Sequence, residues 1–318
     1  NMTVNQRVFG YVACISAIYA ALESFAEDLA FRYAELATRH DGLISEESEA
    51  KLRSRYSHNV AHLLTQQLGV GRYERVTQLD LAKSLASLLD EASVSSLRPE
   101  AVGHHKANLR LPSLVELFQW GASDLTDRLG KSDALKRWGD SVGRDSGLDS
   151  LIRTELEDLV ERRNAVAHRA LTDEIVSHDQ LRAKVEFIDA LSLGLLACLG
   201  TQILDLLVAR IAASPVGPIS ERHQSGEVLV VENAETALAV GDLVLARNQT
   251  TSRWGQIMEL QLDDEPASSS DVGSEVGIRL DFRCHKNAAL FLVRGVPGEL
   301  LSPPARLFGD HGPISADG

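Results

Sequence analysis

Residues 156–170 read LEDLVERRNAVAHRA, and the way this stretch winds decides how the N-terminal part of the chain folds. At ~100° per residue, Leu156, Leu159, Val160, Val166, Ala167 and Ala170 gather into one apolar stripe, and Arg163 falls near its centre. A guanidinium there needs compensation. The alternatives are a core ion pair with a carboxylate such as Glu23, Glu27 or Asp145, a side chain that snorkels out to water, or a cleft in which the arginine works. Arg163, Ala167, Asn164 and His168 follow in that angular order over an arc of ~140°, and Asn164 and His168 are neighbours one turn apart. A guanidinium, an amide and an imidazole thus border one patch, with alanine leaving room for a helix or ligand to approach.

The spacing alone decides little. With 25 arginines and 10 histidines in 318 residues, chance supplies about 0.8 R-x4-H pairs. Arg53 and His58 form a second such pair, set among Ser54, Arg55, Tyr56 and Ser57 without an apolar stripe, which reads as a solvated face.

Outward from the motif, the apolar period stays near 3.6 from Val4 to about Ala213. Helices are expected over approximately 5–39, 45–68, 77–90, 111–120, 122–129, 148–170 and 178–213. Ser45 before two glutamates and Pro112 at the head of LPSLVELF are start signals, and the Gly-rich KRWGDSVGRDSGLDS reads as a break before the motif helix. SPVGPISERHQSG, residues 214–226, has the composition of a linker. Beyond it EVLVV, ALAV, DLVLAR, GQIMELQL, VGIRLDFR and AALFLVR read as short strands.

The expected architecture is mainly α: a helical domain over 2–213, a linker over 214–226, a small antiparallel β sheet or barrel of five or six strands over 227–300, and a loose tail over 301–318. DDEPASSSDVGSE, residues 263–275, is expected to be an exposed loop. Trp254 is read either as an exposed binding aromatic or as the plug of the β core.

A net charge of −13 argues against a protein that coats nucleic acid through bulk electrostatics, while leaving room for one basic cleft. Cys14, Cys198 and Cys284 stand apart, with no CxxC and no His-Cys cluster, so neither a disulfide framework nor structural zinc is suggested and a reducing cytoplasm fits. The most membrane-like stretch, ALSLGLLACLGTQILDLLVARIAA, is interrupted by Asp189, Asp205 and Arg210 and is expected to be a core or dimer helix. A metal set among His58, His62, His104 and His105 is conceivable, since His58 and His62 stand one turn apart on a helix, but no HExxH or acidic partner supports it. No metal, cofactor or membrane is expected.

The string R163-N-A-V-A-H168, late in a helical domain and followed by a long apolar helix, resembles the signature of the HEPN superfamily, and HHKANLRLPSLVELFQWGAS, residues 104–123, resembles the segment preceding it in the RiboL-PSP branch. The resemblance covers about residues 4–213. It implies a metal-independent endoribonuclease that works as a homodimer on RNA, with two signature helices facing across a cleft, in antiviral defence or a toxin-like system. It would leave 2′,3′-cyclic phosphate ends. His168 would move a proton or orient the 2′-OH, Arg163 would hold the scissile phosphate, and Asn164 would position either one.

His105, Asn108 and Arg110 are candidate supporting residues of the same cleft, or else belong to a polar helix-approach loop. Toxins of this superfamily that are silenced on a tyrosine two residues past the histidine differ from this chain, which has Ala170 there. The alternative function is a non-catalytic dimerisation or nucleotide-binding scaffold. In either case the β module is expected to recruit substrate, a regulatory protein or another partner.

Overall fold

Apolar residues recur every three or four positions from Tyr11 to Ala37, and the computed structural model gathers them on one face of a 36-residue helix, α1 (Val4–Arg39). The structure describes residues 3–39, 44–89, 97–143, 147–168, 175–210, 214–248, 252–284 and 287–294. Those residues form two compact units that divide within one helix, between Cys198 and Leu199.

In the first unit α1 is followed by α2 (Glu46–Leu64), α3 (Gln78–Leu89), α4 (Pro99–Val102), α5 (Leu111–Phe118), α6 (Leu125–Lys131), α7 (Asp133–Ser141), α8 (Leu148–His168) and α9 (His178–Arg210). Ser45 caps α2, its side chain accepting the Ser48 N–H at 3.2 Å, and Pro112 sits in the first turn of α5, where its missing N–H costs nothing. α1 packs against α8, α4 and α5. By length and composition α1 is, among the described residues, the helix capable of crossing a bilayer, rather than the 190–213 stretch singled out from the sequence. Its buried face, from Tyr11 through Leu22 to Tyr33, forms part of the helical core.

Two short helices were not expected. α7 runs through the stretch read as a Gly-rich break: Leu135 and Trp138 are buried, and the Trp138 ring meets Phe187 of α9 at 4.8 Å. Burial of those two side chains outweighs the modest helix cost of Gly139. α4 is a single turn that packs on α1 and α2.

In the second unit, β1 (Ser214–Pro215), β10 (Ala289–Leu292), β5 (Leu243–Arg247), β6 (Ser252–Leu262), β9 (Val276–Leu280), β3 (Val228–Val231) and β2 (Ile219–His223) pair in that order as a curled antiparallel sheet. β7 (Glu265–Ala267) pairs with β6, and β4 (Leu238–Ala239) with β8 (Ser269–Ser270). Alternate residues such as Leu229, Val231, Val244, Ile257, Leu260, Ile278 and Leu290 fill the core.

The 214–226 stretch is therefore not a free linker, because it supplies β1 and β2, the two ends of the sheet path. Proline is tolerated on an edge strand, where its missing donor faces no partner. The expected 263–275 loop likewise carries β7 and β8. It begins with Asp263 and Asp264 at φ 50° and 65°, the left-handed pair that closes a two-residue hairpin. Trp254 is neither a core plug nor a free aromatic: it is half-buried, and its indole lies over Gly200 of α9, where an added Cβ would sit 2.9 Å from the ring.

β6 is the strand shared by both halves of the sheet, pairing with β5 through its first half and with β9 through its second, with a register shift between Ile257 and Glu259. At Gly255 an added Cβ would meet Asp281 Oδ1 at 2.0 Å and Phe282 Cδ1 at 2.5 Å. Asp281 cannot simply swing away, because the same oxygen accepts the Gln256 N–H at 2.8 Å. Gly255→Ala is expected to destabilise the β unit by about 1–3 kcal/mol, read as a lowered urea midpoint; an unchanged midpoint would contradict the tight crossing.

Candidate active site

The buried stripe of α8 runs through Leu148, Ile152, Leu156, Leu159 and Val160 and stops there. From Glu161 the helix leaves the core: Arg163, Asn164 and Val166 are half-buried and Ala167 is exposed. His168 is the last residue of α8, and its side chain lies outside the described residues, as do Ala170 and Asp145.

Among the described residues Arg163 forms no core ion pair, with Glu23, Glu27 or any other carboxylate; Asp145 lies outside them. The Arg163 guanidinium carbon stands 5.3 Å from the centroid of the Tyr19 ring, within cation–π range. Arg163 Nη1 donates to Asn164 Oδ1 at 3.3 Å. The same oxygen accepts from Asn108 Nδ2 at 3.1 Å, which fixes the amide's orientation.

Asn108 is held in turn by Tyr19, whose hydroxyl donates to Asn108 Oδ1 at 3.5 Å and accepts the Leu109 N–H at 3.0 Å. Burial holds the Tyr19 phenol above its ordinary pKa despite the Leu109 hydrogen bond, so it stays neutral and can serve both roles. Arg110 pairs with Glu161 at the rim. Arg162 is drawn onto α1: it bonds Asp158 at 2.8 Å and the Tyr11 hydroxyl at 3.4 Å.

His105 lies on the same segment but faces a different part of α1. Its Nε2 is 2.9 Å from Glu27 Oε1 and 3.4 Å from Glu23 Oε1, and its Nδ1 is 2.7 Å from the Ala107 carbonyl. Both ring nitrogens face acceptors; burial opposes the charged ring, but the Glu27 hydrogen bond, the Ala107 carbonyl and Glu23 together raise the pKa from its ordinary value. The segment can lie this close because residue 103 is glycine: a Cβ there would sit 2.9 Å from Glu27 Cβ and 3.2 Å from its Cα.

His104 turns the other way. It is buried, with its ring 4.9 Å from that of His62, and its pKa is lowered to about 4 by burial and by the neighbouring His62, Arg72 and His105. It lines a groove of about 930 Å³ together with Lys51, Arg55, His58, Asn59 and Trp120; neither Arg163 nor Asn164 borders that groove. The second R-x4-H pair is committed to structure, with Arg53 on Glu49 at 2.8 Å and His58 Nδ1 at 2.7 Å from the Ser54 carbonyl.

Of the residues named from the sequence, the structure thus brings together Arg163, Asn164 and Asn108, places Arg110 beside them, and holds His105 on a neighbouring stretch of α1. Tyr19 was missed, and Glu23 and Glu27, considered from the sequence as ion-pair partners of Arg163, meet His105 instead. Their signal was present: three polar-tipped residues at i, i+4 and i+8 on one face of an otherwise apolar helix.

An all-α unit whose penultimate long helix presents Arg and Asn on an open shoulder, with a histidine closing the helix, defines a HEPN-type domain. The chain matches the RiboL-PSP-HEPN family over residues 3–204 and belongs to it. This membership makes the fold a nuclease or nucleotide-binding one in general terms. No curated protein matches the sequence.

Tyr19→Phe keeps the ring under Arg163 but strands the buried Leu109 N–H. The variant is expected to lose about 1–2 kcal/mol in urea unfolding with an unchanged slope. A variant as stable as the wild type would show that the hydroxyl does not tie this segment to α1.

Proposed function

We propose that the protein is a metal-independent endoribonuclease of the HEPN type, acting as a homodimer in antiviral defence or a toxin-like system. The observation that carries this reading is Arg163: a half-buried guanidinium laid on an aromatic ring, with no carboxylate partner among the described residues, beside an asparagine whose amide oxygen is held by Asn108. A structural arginine would be paired; one kept for an incoming anion is oriented without being neutralised.

The chemistry follows from the residue types. A base takes the proton of a 2′-OH, the 2′-oxygen attacks the adjacent phosphorus, and the bond to the 5′-oxygen breaks as an acid protonates it. The products are a 2′,3′-cyclic phosphate and a free 5′-OH. His168 serves in proton transfer or 2′-OH orientation, Arg163 stabilises the phosphoryl charge as it develops, and Asn164 NH₂ orients substrate. Beside this group Val166 is half-buried and Ala167 exposed among the described residues, which supports a site completed by a second copy across them. The β unit would recruit substrate or a regulatory protein.

Purified protein incubated with tRNA or total RNA in excess EDTA is expected to leave 2′,3′-cyclic phosphate ends. Arg163→Ala and His168→Ala, checked for retained helicity, should each lower the rate by about 10²–10⁴-fold. RNA left intact by the wild type across a range of substrates would sink the nuclease and leave the non-catalytic scaffold.

A further inference from the structure

Glu23 and Glu27 stand one turn apart on α1 and converge with His105, their ligand-type atoms all within 4.8 Å of one another. We propose that Glu23, Glu27 and His105 form a site for a divalent transition metal of the zinc kind, one that clamps the 103–110 segment onto α1.

Three features favour an ion over a simple cluster of charges. First, the spacing is close to that of a filled site: a tetrahedral ion with bonds of about 2.1 Å keeps its ligand atoms about 3.4 Å apart, and His105 Nε2 is 3.4 Å from Glu23 and 2.9 Å from Glu27. Second, His105 is oriented as a metal-binding histidine is, its Nδ1–H donating to the Ala107 carbonyl at 2.7 Å so that Nε2 points at the two carboxylates. Its side chain is only 8% exposed, which keeps competing water from that nitrogen.

Third, the charge count allows an exchange. Two basic groups now face the two carboxylates, the His105 ring and the guanidinium of Arg72, which pairs with Glu27 from the turn at Gly71–Tyr73. A divalent ion takes over from both: Nε2 offers its lone pair to the ion and Arg72 swings out to water. The donor set of one imidazole and two carboxylates with a fourth position for water suits zinc and its neighbours over magnesium.

This set differs from the four histidines considered from sequence, of which His62 and His104 meet ring to ring while His105 turns to the carboxylates. The ion takes no part in bond cleavage. Its influence on function, which rests on the nuclease reading, would pass through the short run from His105 to Asn108, the residue that fixes Asn164.

The test is calorimetric titration of the EDTA-stripped full chain with Zn²⁺, in a Cys14→Ser background because Cys14 is an exposed thiol. One saturable equivalent is expected, with no comparable Mg²⁺ binding. Affinity should fall roughly tenfold or more in Glu23→Gln and in His105→Gln, and rise in Arg72→Ala, which removes the competitor. Glu23→Gln is the decisive variant should His105→Gln unfold. No saturable binding, or binding that these variants leave unchanged, would overturn the site. RNA cleavage in EDTA is read separately, so loss of the metal site and loss of the nuclease reading are distinguishable.

Discussion

The guanidinium of Arg163 resting on the ring of Tyr19 is the contact on which the rest of the site depends. A carboxylate partner would have neutralised the arginine and closed it to any anion, and a fully exposed arginine would have no fixed direction. An aromatic face attracts the cation by about 0.5–2 kcal/mol while leaving its hydrogen-bond donors free. The same tyrosine extends the effect beyond the ring, because its hydroxyl is shared between Asn108 and the Leu109 N–H. One buried side chain on α1 thus orients the cation of α8 and the loop that fixes its neighbouring amide. Gly103 makes this possible by letting the loop backbone lie on Glu27.

How much of this was legible in the sequence follows from the range of each interaction. The motif residues share one helix, so their juxtaposition could be read from a wheel, and the long helices announced themselves by their apolar period. Tyr19 meets Asn108 across 89 residues and Arg163 from another helix, and nothing local in ISAIYAALES says which segment will cross it. α7 was hidden for the opposite reason: its glycines gave a local signal that burial of Leu135 and Trp138 overrode. In the β unit the proline- and glycine-rich 214–226 stretch has linker composition, yet it forms edge strands, where the absence of a backbone donor is harmless.

The end of α8 gives the site its character. A helix that buries Leu156, Leu159 and Val160 and then emerges with Val166 half-covered and Ala167 exposed presents small, apolar residues beside its polar ones. That combination suits close approach of a second helix, and the two-fold rule of homodimers would set the same patch against itself. Two arginines and two asparagines would then face one cleft, each pair held from behind by its own Tyr19. The overall acidity of the chain would confine attraction for a polyanion to this cleft.

In the proposed enzyme the cleft is built from two copies of the Arg163 shoulder. Sedimentation equilibrium at micromolar protein tests it most directly, on the wild type and on Ala167→Glu, which places a bulky charge on the exposed shoulder without touching the core. A composite cleft requires a wild-type species of twice the 34.6 kDa chain mass and a variant shifted to the single-chain mass. A wild type that sediments as a stable monomer would contradict it.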